Sequence, residues 1–311
     1  MQKKEFKILD PYENELFTVL WKPDGKKKPL GVVQILHGAG EHVNRYNDFA
    51  EYLTSLNLVV IGNDHLGHGK TSDTQEYVHF ADDIGFHKVY GGIQIVRDWI
   101  EETYPGLPVI MFAHSMGSFF GRYTILHDYK RYNLACFSGT GWFNPLTIRA
   151  GILSASALIK AKGKRHVSES FTNFTQDGAI KSMIKNGLIN KRIEWLTHDR
   201  DVQKAFLADP LCGNPFTVQA QKDVFEAVKE IQDKKRIKAS ASSTAIYFIS
   251  GELDALGDYG IAAKKLHKLY LDCGYSNVKY SVINGARHEI INEINRQDTY
   301  KNIGDWIQEN L

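Results

Sequence analysis

Phe112-Ala113-His114-Ser115-Met116-Gly117 joins an apolar, strand-like run to a helix-like run through one serine flanked by small residues. Upstream, Pro108 to Phe112 reads as a short buried strand, and downstream Phe119, Phe120, Tyr123 and Leu126 recur at helical spacing. A serine on so sharp a strand-to-helix turn is a nucleophile elbow, usually written G-x-S-x-G. The turn holds the serine in a strained backbone conformation. Its neighbours two positions away must therefore be small, to clear the facing strand and helix. Gly117 meets that demand, and Ala113 stands where the pattern has its first glycine, one methyl group larger. A small-x-Ser-x-small string arises easily by chance, so its meaning rests on finding a base, an acid and an oxyanion hole in the right order.

All three follow the chain order Ser, Asp or Glu, His that this elbow requires. Ala245 to Ser250 (AIYFIS) is a strand-like run ended by Gly251, with Asp254 just beyond it. Val278 to Ile283 is a second such run, followed by the turn Asn284-Gly285-Ala286-Arg287 that carries His288 off the strand end. Both residues fall on loops at the same type of strand end as Ser115, where open parallel sheets place their sites. The neutral imidazole of His288 is expected to take the Ser115 proton as general base, with Asp254 holding its tautomer and stabilising its protonated form. Without such a base a serine hydroxyl is a poor nucleophile. Directly after the apolar run Gly31 to Leu36 comes His37-Gly38-Ala39-Gly40-Glu41-His42, a glycine-bearing loop able to aim a backbone N–H at a developing oxyanion. The expected oxyanion hole is the N–H pair of Ala39 and Met116.

HGAGEH (37–42) with Arg45-Tyr46, NDHLGHGKT (63–71), AHSMGS (113–118), GELDALGDYG (251–260) and GARHE (285–289) together resemble the monoacylglycerol lipase and lysophospholipase family of α/β-hydrolases, in particular its bacterial members. The resemblance covers nearly the whole chain. It implies an α/β-hydrolase fold with a mostly parallel central sheet, helices on both faces and an inserted helical cap. It also implies Ser115, Asp254 and His288 as nucleophile, acid and base, and Ala39 and Met116 as oxyanion donors. Two positions depart from the family pattern: Ala113 at the elbow, and Ala255 after the acid, where proline is common.

The chain has 311 residues, enough for a core domain plus an insertion. Its net charge of +2 argues against dedicated nucleic-acid binding. Cys136, Cys212 and Cys273 are odd in number and widely spaced, which suits a reducing compartment and suggests neither a metal site nor a disulfide framework. The opening MQKKEFKILDPYENE lacks the apolar core of a signal peptide, and no apolar run reaches the ~18 residues of a membrane span. The expectation is a soluble cytoplasmic protein without cofactor or metal; oligomeric state is not legible.

Strand-like runs at Leu16 to Leu20 and Gly31 to Leu36 bracket Lys22-Pro23-Asp24-Gly25, a hairpin-like turn signal. Further strands are expected at Leu58 to Gly62 and Leu134 to Ser138, with helices carrying Val89, Ile93, Val96 and Ile100 and, at the end, Ile290, Ile291, Ile294, Ile303, Trp306 and Ile307. The stretch between Ser115 and Asp254 is too long for one strand and one crossover. The expected organisation is a core of residues 1–141 and 226–311 with a cap at 142–225, rich in small and apolar residues from Ile148 to Ile159 and again at Ile180, Met183, Ile184, Leu188 and Ile193. Most of these pack the cap onto the core, and the remainder line an acyl pocket.

The basic run Lys160, Lys162, Lys164, Arg165, His166 reads as solvated surface, with a transient membrane-surface contact through the cap as the alternative. Asp64-His65-Leu66-Gly67-His68-Gly69 reads as a structural turn and not a metal motif. His37 and His42 are expected to shape their loop by hydrogen bonding. Asp258 is the rival acid to Asp254. The function expected from elbow, resemblance and apolar cap is cleavage of carboxylic esters of lipid-like substrates, monoacylglycerol or lysophospholipid, through an acyl-enzyme on Ser115. The alternatives are a broad short-chain carboxylesterase, or an amidase or thioesterase with the same triad; a non-catalytic binding protein is a third class.

Overall fold

In a computed structural model, residues 1–175 and 177–311 are described, the side chains of 173–177 aside. Gln176, inside the expected insertion, lies outside the described residues. Eight strands form one sheet: β1 (Gln2–Leu9), β2 (Glu15–Lys22), β3 (Gly31–Leu36), β4 (Leu58–Asn63), β5 (Val109–His114), β6 (Leu134–Ser138), β7 (Ala245–Gly251) and β8 (Val278–Ile283). Their spatial order is β1-β2-β4-β3-β5-β6-β7-β8. The pairs β1–β2 and β2–β4 are antiparallel, and every pair from β4 to β8 is parallel. Residues of β3 to β7 are buried throughout, as expected of parallel strands covered on both faces.

Alternation along β5 splits its side chains between two apolar layers. Val109, Met111 and Ala113 face the layer built with helices Gly85–Thr103, Met116–Asp128 and Val218–Ile231. Ile110 and Phe112 face the layer built with Asn47–Ser55 and Arg296–Asn310. Val89, Ile93, Val96 and Ile100 all point inward, whereas Ile294 is exposed.

Two features differ from the sequence reading. β2 and β3 are not hairpin partners, because β4 lies between them and pairs with both. The hairpin is instead β1–β2, turned at Asp10, whose carboxylate accepts the Tyr12 and Asn14 N–H groups at 2.8 Å each. β1 itself went unread because most of its side chains are polar and exposed. It is an edge strand carrying Lys3, Lys4 and Lys7, which discourage further pairing, and its order comes from the ladder to β2.

The connection from β6 to β7 carries helices Pro145–Lys162, Glu169–Thr175, Asp177–Lys185, Arg200–Ala208, Val218–Ile231 and Lys234–Ala239. The first starts on an Asn144 side chain that accepts the Leu146 N–H, with proline at the first helical position. It crosses Val218–Ile231 closely, since a Cβ on Gly151 would lie 2.9 Å from the Phe225 ring. Residue 225 falls within that second helix, whose Ala220, Ala227, Val228 and Ile231 belong to the sheet's apolar layer. No helix among the described residues is long and apolar enough to cross a membrane.

Candidate active site

Ser115 leaves the end of β5 with φ 52° and ψ −121° and opens the helix Met116–Asp128. A non-glycine residue there is strained, and the surroundings hold it. Its N–H donates to the Ser138 carbonyl at 2.9 Å, while its own carbonyl accepts from the N–H and the hydroxyl of Ser118. Gly117 is required by close approach: a Cβ on it would lie 2.3 Å from the Leu36 carbonyl oxygen.

The loop after β7 brings Asp254 to this point, and the loop after β8 brings His288. The Ser115 hydroxyl donates to His288 Nε2 at 2.8 Å, and His288 Nδ1–H donates to Asp254 Oδ1 at 2.9 Å. Asp254 and His288 are buried, and Ser115 is 8% exposed. Burial works to lower the His288 pKa, but the adjacent Asp254 carboxylate, together with Glu289 and Glu41, outweighs it and the pKa is raised. Burial likewise works to raise Asp254, and the imidazole, with the Gly257 N–H, holds it below its ordinary value. The second Asp254 oxygen accepts from the Ser250 hydroxyl. Asp258 is exposed, at φ 49°, with no described contact to His288.

The Gly38–Gly40 loop closes on the serine: a Cβ on Gly38 would stand 3.1 Å from Ser115 Cβ. Ala39 is exposed beside it. Among the described residues no hydrogen bond takes up the Ala39 or Met116 N–H. His37 donates Nδ1–H to the Gly38 carbonyl and accepts the His65 N–H at Nε2. Its burial drives the pKa far down, so it remains a neutral prop. His65 and His68, both at about 3 through burial, pack against it. Asp64 accepts the Val43 and Lys70 N–H groups, so NDHLGHGKT is a turn tied to this loop.

Sequence reasoning missed two groups around His288. First, Arg45 forms a two-pronged pair with Glu289 at 2.7 Å and also donates to Glu41 at 2.6 Å. Glu41 further accepts from Tyr46 and from the Gly38 N–H. Two buried carboxylates face one guanidinium, and both act to raise the His288 pKa. Helical spacing of Glu41 and Arg45 hinted at half of this cluster; nothing in the spacing pointed to Glu289, 244 residues from Arg45. Second, the Trp195 ring lies 4.4 Å from the His288 ring at an interplanar angle of 21°.

His42 Nε2 bonds to Asp209 at 2.8 Å, joining this loop to the β6–β7 connection. His42, Asp209 and Cys212 bring N, O and S donors within 4.8 Å of one another, a set that could in principle hold a metal ion. Burial pushes the Cys212 thiol up to about 12, against the opposing pull of the Arg45 guanidinium.

A family profile described as serine aminopeptidase, S33 (Hydrolase_4) matches residues 27–295. The chain belongs to that family. Human monoglyceride lipase is 39% identical over 102 residues, 33% of this chain and 31% of that protein, so this match spans about a third of the human relative. The monoacylglycerol lipase of Mycolicibacterium smegmatis is 24% identical over 293 residues, 94% of this chain and 92% of that one. A highly thermostable carboxyl esterase from Bacillus coagulans, solved in complex with glycerol, superposes with a TM-score of 0.87 at 23% identity, covering 100% and 99% of the two chains. The likeness shows the fold, and this is the α/β-hydrolase fold.

Within this α/β-hydrolase both departures from the family pattern have local reasons. The Ala113 methyl faces Gly121 on the elbow helix, where a Cβ would come within 2.9 Å of it. A glycine opposite makes room for alanine at the elbow. Ala255, next to Asp254 in sequence, packs like Trp195 against a small apolar cluster of Ile180, Met183 and Ile189.

Proposed function

We propose that this chain is a serine hydrolase of lipid-like carboxylic esters, with monoacylglycerol the favoured substrate and lysophospholipid next. The observation that carries the reading is the hydrogen-bonded run Ser115–His288–Asp254 at the end of a strained elbow. In this mechanism Ser115 Oγ attacks the acyl carbon while His288 Nε2 takes its proton, and Asp254 stabilises the imidazolium. The tetrahedral oxyanion is received by the Ala39 and Met116 N–H groups, each worth roughly 10²–10³ in turnover. His288 returns the proton to the alcohol oxygen, which departs as the acyl–serine ester forms. Water, deprotonated by His288, then attacks that ester, and the fatty acid leaves as Ser115 recovers its proton.

In this proposal residues 142–225 act as the cap. Its helix Pro145–Lys162 leaves Leu146 and Leu153 73% and 69% exposed. The exposed basic residues Lys160, Lys162, Lys164 and Arg165 follow on its C-terminal side. Exposed leucines flanked by cations suit transient contact with an anionic lipid surface. Apolar lining suits an acyl chain, at about 0.8 kcal/mol per buried CH₂.

Hydrolysis of lauroylglycerol, lauroyl lysophosphatidylcholine, a butyrate ester and an aminoacyl anilide, with Ser115→Ala alongside, tests the reading. Fastest turnover of the glycerol ester, abolished in the variant, supports it. Turnover of the phospholipid alone moves the assignment to a lysophospholipase. Preference for butyrate or the anilide moves it to a short-chain esterase or an amidase.

A further inference from the structure

The base loop is gripped from the β6–β7 connection. The His288 and Glu289 N–H groups donate to the Trp195 and Leu196 carbonyls at 3.4 and 2.7 Å. The Arg287 side chain reaches the Glu194, Thr197 and Leu188 carbonyls. Glu293, beyond the base, accepts from the Arg287 N–H, from the His198 N–H and from His198 Nδ1. The Thr197 hydroxyl donates to the Asn292 carbonyl at 2.9 Å, and Arg296 pairs with Asp199 at the same distance. At the centre of this seam the Trp195 indole covers the imidazole and packs on the apolar cluster of Ile180, Met183 and Ile189, against which Ala255, next to Asp254 in sequence, also packs.

We propose that Trp195 is a positioning residue for His288: the connection segment Leu188–Asp199 is a fixed strap that holds base and acid in register, with the indole as its clamp. The inference rests on His288 being the base. An indole parallel to the imidazole fixes the ring plane that must face Ser115 on one edge and Asp254 on the other. Its π-face also favours the imidazolium, which exists only while the proton is in transit, so the stabilisation is larger in the transition state than in the resting enzyme. It follows that substrate entry occurs without lifting this strap, because lifting it would take His288 out of alignment. The helix Pro145–Lys162 shares none of these bonds; it packs on Val218–Ile231 instead.

Trp195→Leu and Trp195→Phe enzymes, assayed across pH on a short soluble ester, test the proposal. The leucine enzyme is expected to lose roughly tenfold in kcat with KM little changed, and its acid limb moves to lower pH as the imidazolium loses its partner. Phenylalanine restores most of both. Unchanged kcat and pH profile in the leucine enzyme, or a phenylalanine enzyme no better than the leucine one, overturns it. Should Trp195→Leu fail to fold, tryptophan fluorescence decides: emission of the wild type is expected to drop as His288 protonates, and that step is absent in His288→Ala. Identical titrations in those two proteins overturn the clamp. Activity surviving in His288→Ala instead removes the base assignment, while a dead His288→Ala beside fully active Trp195 variants removes the clamp alone.

Discussion

Ser115 and His288, the proposed nucleophile and base, are held by opposite means. Ser115 is fixed by backbone close approach: a strained φ, a glycine against the Leu36 carbonyl, and hydrogen bonds to Ser138 and Ser118. All of that lies within the three central strands and the helix that starts at the serine. His288 is fixed by side chains from far along the chain: Asp254, the Arg45–Glu289 pair, and Trp195 with its strap. Steric constraint tolerates almost no change in shape, whereas electrostatic and stacking constraint can be weakened in steps.

The hardest test of the contrast is removal of the proposed reacting groups. Ser115→Ala and His288→Ala are each expected to lower kcat by about 10⁴-fold or more on the preferred ester, since members of a triad act as a unit. A large difference between the two would show that the halves do not act together.

Next in size is the base side's charge. Glu289→Gln leaves Arg45 with Glu41 alone, and removal of one partner from a buried pair costs roughly 3 kcal/mol, read as a lower urea midpoint. The same change withdraws a negative charge that keeps the His288 pKa raised. With His288 as the proposed base, activity needs the neutral imidazole and rises as pH passes that pKa, so the acid limb of kcat/KM is expected at lower pH. An unmoved limb would mean that the carboxylates stabilise the fold without tuning the base.

On the nucleophile side, Gly121→Ala pushes a methyl toward Ala113, Met111 and Phe137 and is expected to cost about 2 kcal/mol. In an Ala113→Gly background the cost should shrink, because that contact is gone; strictly additive urea midpoints would break the steric account. Smallest is Leu153→Ser on the exposed helix, expected to change stability by no more than about 0.5 kcal/mol while reducing retention on anionic vesicles.

Much of this molecule is legible in its sequence. β3, β6 and β8 coincide with their apolar runs, and Ser115, Asp254 and His288 meet as their order along the chain suggests. Each depends on a local signal: β-branched runs, a small-residue elbow, a turn after a strand. β1 escaped reading because polar residues dominate it and only Phe6 and Ile8 turn toward the core. The order β2-β4-β3 escaped because a turn signal between two strands says nothing about which strand will lie beside which.

By itself the sequence determined the apolar strands, the elbow and the identity of three polar residues at strand ends, because sterics and hydrophobic periodicity act over a few residues. Tertiary structure alone decided that Glu289 would pair with Arg45, that Trp195 would cover His288, and that Ala113 would face a glycine. These contacts join residues remote in the chain, and their energy depends on burial and orientation that exist only once the sheet is layered.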